Sequence, residues 1–230
     1  MNRQQATSPA AESVALTYFT DLQAKTVEAI AERIIPANGN DAGATEAGVV
    51  YYIDRSVTGF SINLQRIYRL GLRELERYCS HFFQAQFHEL DAEQQDEIIR
   101  ELLGPEVIET AGEPVSGQLP QSLDQDIIDD GEAEPTDPSV PADQEMLRRL
   151  FAVIREHTVE GYFCDPIYGG NRDTVGWKLV GFPGAQWGYT AEQMKPGFDA
   201  STIVIKTLSD LRRDLSKMTD NRQYYSNEVK

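Results

Sequence analysis

The sequence predicts a mainly α-helical fold: a helical bundle that carries one long ordered loop and one acidic, disordered insert. Apolar residues recur at helical spacing over much of the chain, and no long segment alternates apolar with polar residues as a half-buried strand does. Glycine and aromatic residues are concentrated in residues 157–189, and acidic residues and prolines in residues 105–142. The first concentration is typical of an irregular but structured segment, and the second of a segment without a stable fold.

A chain of 230 residues is long enough for one domain with its own hydrophobic core. We expect disorder over residues 1–17 and helices over 18–104. The acidic, proline-rich insert occupies 105–142. Residues 143–218 then add a helix, the ordered loop and a C-terminal helix to the same domain, and residues 219–230 form a tail.

Two helices are predicted before residue 60. Thr20 and Gln23 fit a capping box, in which each side chain bonds to the backbone N–H of the other residue, and Pro36 ends this helix. A second helix follows Thr45 and ends near Gly59. The apolar positions at helical spacing are Leu22, Val27, Ile30 and Ile34 in the first helix and Val49, Val50, Ile53 and Val57 in the second.

Two more helices are predicted before the insert. The third spans roughly 62–83, and Asp91 with Gln94 caps the fourth. The predicted buried positions are Leu64, Ile67, Leu75, Tyr78 and Phe82 in the third helix and Ile98 and Leu102 in the fourth.

Two helices follow the insert. Asp143 caps the fifth helix, and Gly161 is expected to end it. The positions that predict these helices are Met146, Leu150, Val153, Ile154 and His157 in the fifth, and Val204, Leu208, Leu211, Leu215 and Met218 in the sixth.

Most of the formal net charge of −16 belongs to the insert. Residues 104–147 contain twelve acidic residues and no Lys or Arg, which leaves −4 for the rest of the chain. This charge disfavours binding to nucleic acid or to an anionic membrane surface. No apolar run approaches the roughly 20 residues that span a bilayer, so we expect no direct membrane insertion.

Residues 157–189 hold both tryptophans, seven of the twenty-one aromatic residues and seven of the seventeen glycines. Glycine permits turns that other residues resist, and aromatic rings supply large apolar faces. We interpret Asp165, Arg172 and Asp173 as residues that brace this segment. Its aromatic side chains pack either against the domain or against a partner.

No cofactor motif is present. The run GFPG at 181–184 lacks the spacing of the dinucleotide fingerprint, and GGNRD at 169–173 is not followed by the Lys-Ser/Thr of a phosphate loop. Two separated cysteines, Cys79 and Cys164, cannot supply a four-thiolate cluster. We interpret both as free thiols, although an intrachain bridge, or a cross-link from Cys164 to a partner in an oxidising compartment, stays open.

His157 and Glu160 lie one helical turn apart, a spacing that permits two ligands on one face. The other histidines, His81 and His88, offer no matching pair, so we favour a role for His157 in capping the helix end or bonding within the loop. We predict no metal ligand and no catalytic residue. In a less favoured alternative, His157, Glu160 and Asp165 serve a stand-alone enzyme.

Several motifs in fixed order resemble one family. The run EGYFCDPIYGGNRDTVGWKLVGFPG (160–184) resembles the signature of the small subunit of gluconate 2-dehydrogenase, also called subunit 3 or the gamma subunit. The runs IIPAN (34–38), GATEAGVVYYIDR (43–55), YRLGLRELERY (68–78) and FHELDAEQQDEII (87–99) resemble the same family. The likeness covers roughly residues 18–104 and 143–190.

This resemblance implies that the chain is a non-catalytic subunit. In that family, the small subunit partners a large flavoprotein of the glucose-methanol-choline oxidoreductase type, which carries FAD and oxidises a sugar, polyol or sugar acid. Some of these complexes add a cytochrome c subunit. The resemblance therefore implies no cofactor in this chain and a role in stabilising its partner, or alternatively in escorting the partner as a transient chaperone.

The resemblance, together with the aromatic content of the loop, implies that the loop supplies a partner interface. We expect the core position for Trp177 and the interface position for Trp187. His157 and Glu160 are expected to lie near the active site of the partner. The predicted interface residues are Tyr162, Phe163, Cys164, Tyr168, Asn171, Arg172, Trp177, Phe182 and Trp187.

The small subunits of this family often carry a twin-arginine signal. Here the N-terminal run MNRQQATSPAAESVALTYF has one arginine and no apolar stretch, so as it stands it is not a signal peptide. The expected location is therefore cytoplasmic as the chain stands, or periplasmic if a signal was removed or the partner carries one.

Overall fold

The computed structural model describes residues 15–103 and 143–227. The predicted acidic insert lies outside these residues. The described part is mainly α-helical, as predicted, and its only β-type pairings are two isolated bridges. None of the described helices is long and apolar enough to span a membrane. The helices are α1 (Asp21–Ile34), α2 (Val49–Thr58), α3 (Gln65–Phe82), α4 (Ala92–Leu103), α5 (Gln144–Phe163), α6 (Val175–Val180) and α7 (Leu208–Asn227).

Local signals set the beginnings of three helices. The predicted capping box of Thr20 and Gln23 is present at α1. Asp91 and Gln94 bond to each other's backbone N–H before α4. Asp143 accepts from the Met146 N–H at 3.0 Å and caps α5. Each of these bonds satisfies an amide that the first turn of a helix leaves without a partner.

Helix α5 is the centre of the bundle, and helices α1 to α4 all pack against it. Its buried face includes Leu147, Leu150 and Ile154. A Cβ atom at Gly71 would lie 2.7 Å from the Leu150 Cβ, so glycine at this position lets α3 approach α5 closely. Burial of this apolar surface is the main favourable contribution to folding.

The prediction that Gly161 ends the fifth helix is wrong, because α5 continues to Phe163. Gly161 lies inside the helix, where an added Cβ would be 2.9 Å from the Tyr52 Cδ1 atom. The missing side chain serves packing against α2 rather than a left-handed cap. The helix instead ends before the Asp165-Pro166 pair, since the residue that precedes a proline disfavours the helical conformation.

The segment before α1 is held to α2 by a buried carboxylate. Asp54 accepts hydrogen bonds from the backbone N–H groups of Thr17, Tyr18 and Phe19 at 2.7, 2.9 and 3.0 Å. Burial opposes ionisation of Asp54, but these hydrogen bonds outweigh burial and hold its pKa below the usual value. The carboxylate therefore fixes the chain entry, and Phe19 packs edge-on against Tyr68 in the core.

Two apolar predictions fail at the ends of elements. Phe82 is the last residue of α3 and is exposed beside Tyr78, beyond the buried part of its stripe. Val204 is exposed and precedes α7, which begins at Leu208. Helix α7 also continues to Asn227, into the residues predicted to form a tail. Apolar spacing identified both helices but does not show where the core ends.

Candidate partner-docking surface

The signature loop, residues 164–187, is closed by the side chain of one asparagine. Asn171 is buried, and its Nδ2 donates to the Cys164 carbonyl at 2.8 Å. Its Oδ1 accepts from the Gly176 N–H at 2.8 Å. The asparagine has a φ of 46°, in the left-handed region that this residue type tolerates better than most. One side chain therefore joins both ends of the turn.

Two glycines let this loop lie directly on the end of α5. A Cβ atom at Gly170 would be 2.1 Å from the Gly161 carbonyl oxygen, and one at Gly176 would be 2.1 Å from the Tyr162 carbonyl oxygen. Both distances are far below van der Waals contact. The loop thus approaches the helix backbone at a distance that no side chain permits.

The loop also contacts the connection between α1 and α2. The backbone N–H of Arg172 donates to the Ala47 carbonyl at 2.9 Å. The guanidinium carbon of Arg172 lies 5.4 Å from the centre of the Tyr51 ring. The next two residues, Asp173 and Thr174, have φ values of 55° and 57°. Left-handed residues other than glycine store conformational strain and are enriched at functional segments.

Asp165 braces the loop, as the sequence predicted. Its Oδ1 accepts from the Ile167 N–H at 3.1 Å, and its Oδ2 accepts from the Leu208 N–H at 2.8 Å. The second bond joins the beginning of α7 to the loop. Because both carboxylate oxygens accept backbone hydrogen bonds, Asp165 acts here as a structural residue.

Three of the predicted interface residues face the interior of the chain. Trp177 is only 5% exposed, and its indole N–H donates to the Phe163 carbonyl at 2.7 Å. Tyr162 is buried and donates to the Ala42 carbonyl at 2.5 Å. Together with Asn171, these side chains make their contacts within the domain. The prediction that they contact a partner is therefore corrected, because they support the loop instead. The burial of Trp177 agrees with the core position expected for it.

Other predicted interface residues remain accessible. Trp187 is 57% exposed, and Phe182 and Tyr168 are also exposed. Arg172 is exposed as well, whereas Phe163 and Cys164 are half-buried. Sequence reasoning missed two exposed apolar neighbours of Phe182, which lie at the end of α6. We define the apolar docking surface as Leu179, Val180, Phe182 and Trp187.

His157 does not cap the end of α5 as predicted. It lies within the helix and is buried, with its Nδ1 at 2.8 Å from the Tyr68 hydroxyl and its ring stacked on the tyrosine ring. Burial lowers the pKa of His157 to about 4, so the imidazole is neutral at pH 7. Its side chain contacts α3 inside the bundle, and its place near a partner's active site stays a prediction.

Glu160 lies one turn further along α5 and is exposed. Its Oε2 accepts from the Tyr52 hydroxyl at 2.8 Å. Burial is the largest cause that raises the pKa of Tyr52 well above its usual value, and the hydrogen bond to Glu160 is the next largest. His157 and Glu160 therefore bond to different tyrosines, on α3 and α2. Among the described residues, no group of three or more His, Cys, Asp and Glu is arranged to hold a metal ion.

Both cysteines are free, as predicted, and the alternative of an intrachain bridge is wrong. Cys79 is buried in α3, and burial raises the pKa of its thiol to about 12. Burial also raises the pKa of the Cys164 thiol to about 11, and this thiol donates to the Gly161 carbonyl at 3.4 Å. Both side chains are therefore protonated thiols at neutral pH.

The family of the chain follows from comparison with known proteins. Residues 21–184 match the family described as Gluconate 2-dehydrogenase subunit 3. The match covers α1 to α6 and most of the signature loop, which is more than half of the chain. This chain belongs to the gluconate 2-dehydrogenase subunit 3 family. No curated protein and no solved structure matched it.

The close approach of the loop to α5 predicts an unequal response to two glycine substitutions. Gly170→Ala should lower the free energy of unfolding by about 2–3 kcal/mol, because the new methyl group overlaps the Gly161 carbonyl. Gly188→Ala is the matched control, since nothing lies within 4 Å of its Cβ position, and it should change stability by less than about 0.5 kcal/mol. Equal effects in urea denaturation would show that the loop does not rest on α5.

The neutral, buried His157 predicts a loss of stability in mild acid. Its pKa of about 4 lies below the unfolded value of 6.5, so the unfolded chain binds more protons between these values. The contribution is present above pH 6.5 and decreases by about 2 kcal/mol between pH 7 and pH 5. His157→Gln should remove this part of the pH dependence, whereas His81→Gln, on the exposed side of α3, should keep it. An unchanged slope in His157→Gln contradicts the assignment.

Proposed function

We propose that this chain is the non-catalytic small subunit of an FAD-dependent dehydrogenase that oxidises a sugar, polyol or sugar acid. It binds a large flavoprotein subunit of the glucose-methanol-choline type and stabilises it. Membership in a family of dehydrogenase subunits supports the assignment to a complex. The observation that carries the docking role is the apolar docking surface, where Trp187 and its neighbours are exposed on a loop whose backbone is braced.

The structure of the loop favours binding because little remains to be ordered on association. Asn171 and the close glycine contacts hold the turn, and Trp177 anchors α6 through its indole N–H. The exposed side chains of Phe182 and Trp187 therefore project from a fixed backbone. Preorganisation of this kind reduces the entropy cost of binding, and exposed aromatic residues are enriched among binding hot spots.

We also propose that FAD is carried by the large subunit and that this chain binds no cofactor. Two backbone amides of the GGNRD run are used within the chain. The Gly169 N–H donates to the Pro166 carbonyl at 3.0 Å, and the Arg172 N–H donates to the Ala47 carbonyl at 2.9 Å. Gly170 serves close packing on α5. The amides of Gly169 and Arg172 are therefore not available to cradle a phosphate.

The first functional prediction concerns assembly. Co-expression of this chain with its proposed flavoprotein partner of the glucose-methanol-choline type should yield a stable complex that co-purifies. Without this chain, the flavoprotein should be poorly soluble or lack FAD. A soluble, active and FAD-loaded large subunit made alone would overturn the proposal. A large subunit that needs this chain only during synthesis and then releases it would indicate an escort instead.

The second functional prediction separates docking from folding at Trp187. Trp187→Ala should weaken the complex by about 2 kcal/mol or more, the range of hot-spot truncations. The isolated chain should keep its stability within about 0.5 kcal/mol, since the ring is largely exposed. Phe60→Ala is the control, because Phe60 is exposed between α2 and α3 and should leave affinity unchanged. Loss of chain stability with unchanged affinity would place the Trp187 ring in the core instead.

A further inference from the structure

A cleft opens between α1, α3 and the short 3-10 helix Phe87–Glu89. Its volume is about 270 Å³, close to the lower end of the range for small-molecule sites. Helix α3 contributes Arg69 and Arg73 to its lining, and α1 contributes Gln23 and Thr26. None of the residues that line the cleft belongs to the signature loop or to the apolar docking surface.

The two arginines of the cleft have no anionic partner within the part of the chain that the structure describes. Elsewhere in that part, Arg33 and Arg149 pair with carboxylates at 2.7 and 3.0 Å. Glu76 also lines the cleft, but it forms an ion pair with neither Arg69 nor Arg73 among the described residues. The cleft therefore presents two guanidinium groups whose charge this part of the chain does not neutralise.

The spacing of these arginines favours a shared anion. Arg69 and Arg73 are four residues apart on α3, so their side chains lie on the same face of the helix. Like charges at this spacing repel each other and destabilise a helix. An anion that both guanidinium groups bind offsets this repulsion, and guanidinium groups bind carboxylates through paired N–H donors. Both side chains are exposed, so an anion reaches them from solvent.

The rest of the lining indicates what else the ligand carries. Leu72 and Phe87 are buried side chains that supply apolar surface to the cleft. The Gln23 Oε1 accepts from the Thr20 N–H at 3.1 Å, whereas the Gln23 Nε2 has no hydrogen-bond partner among the described residues and can donate to a ligand. Two arginines and Glu76 give the lining a net charge of +1.

We propose that this cleft binds a small monocarboxylate that has an apolar body. Arg69 and Arg73 hold the carboxylate, and the apolar body lies against Leu72 and Phe87. The net charge favours a monoanion over a dianion, because Glu76 repels additional negative charge. The inference does not rest on the proposed function, since the cleft and the apolar docking surface share no residue.

The test is a titration of the full-length chain with phenylacetate, followed by NMR chemical-shift changes in the protein. Binding should be saturable, and the double variant Arg69→Gln with Arg73→Gln should weaken it by about tenfold or more. The matched control, Arg212→Gln with Lys217→Gln, removes two exposed positive charges from α7 and should change the affinity by less than about twofold. Both variants should keep the wild-type melting temperature, because the substituted side chains are exposed.

Two further ligands test the chemical class. Phenylacetamide has nearly the same shape without the charge, and it should bind about tenfold more weakly than phenylacetate or worse. Phenyl phosphate, which approaches a double negative charge at neutral pH, should bind no more tightly than phenylacetate.

The inference is overturned if phenylacetate does not saturate the wild-type chain or if phenylacetamide binds equally well. Equal weakening in the α7 control would also overturn it, because the overall charge rather than the cleft would then attract the ligand. Tighter binding of phenyl phosphate would contradict the assignment to monocarboxylates. The proposed function stands after each of these outcomes, since none of them involves the apolar docking surface.

Discussion

The signature loop depends on its contact with the backbone of α5. Gly170 and Gly176 lie so close to the carbonyls of Gly161 and Tyr162 that even a methyl group overlaps them. This contact fixes where the loop crosses the helix end, and Asn171 then closes the turn over it. The positions of α6 and of the apolar docking surface follow, since both are connected directly to this turn.

The same helix organises the interior of the bundle. Through His157 it reaches Tyr68 on α3, and through Glu160 it reaches Tyr52 on α2. These hydrogen bonds satisfy polar groups that would otherwise be costly to bury. His157 and Glu160, whose spacing resembles that of a pair of metal ligands, thus connect α5 to α3 and α2. Because these bonds hold α5 to both α2 and α3, the end of α5 is a fixed support for the apolar docking surface.

Features encoded by neighbouring residues could be predicted from the sequence. The capping residues Thr20, Asp91 and Asp143 were predicted correctly because a cap depends on an amide three residues away. The division between Trp177 and Trp187 also agrees with the observed burial. The family signature could be read directly, since its glycines, prolines and aromatic residues occur in one fixed order.

Features that depend on distant residues could not be predicted. Glycine is common at helix ends, so the local sequence predicts an end at Gly161. In the structure Gly161 instead packs against Tyr52, which lies more than 100 positions earlier in the sequence. Leu179 and Val180 are exposed because of how α6 lies against α5. A local sequence pattern does not predict that arrangement of the two helices. The sequence predicts His157 at a helix end because it does not show that Tyr68 lies next to it.

Under the proposed function, the large subunit carries out the chemistry, and this chain docks through a loop that it holds in place. Hydrogen exchange of the backbone amides, compared between the free chain and its complex with the flavoprotein, tests this claim most directly. The account predicts slower exchange in the complex across residues 179–187, and little change in the α2–α3 turn at 59–64. Protection at 59–64 with none at 179–187 would contradict the assignment of the docking surface.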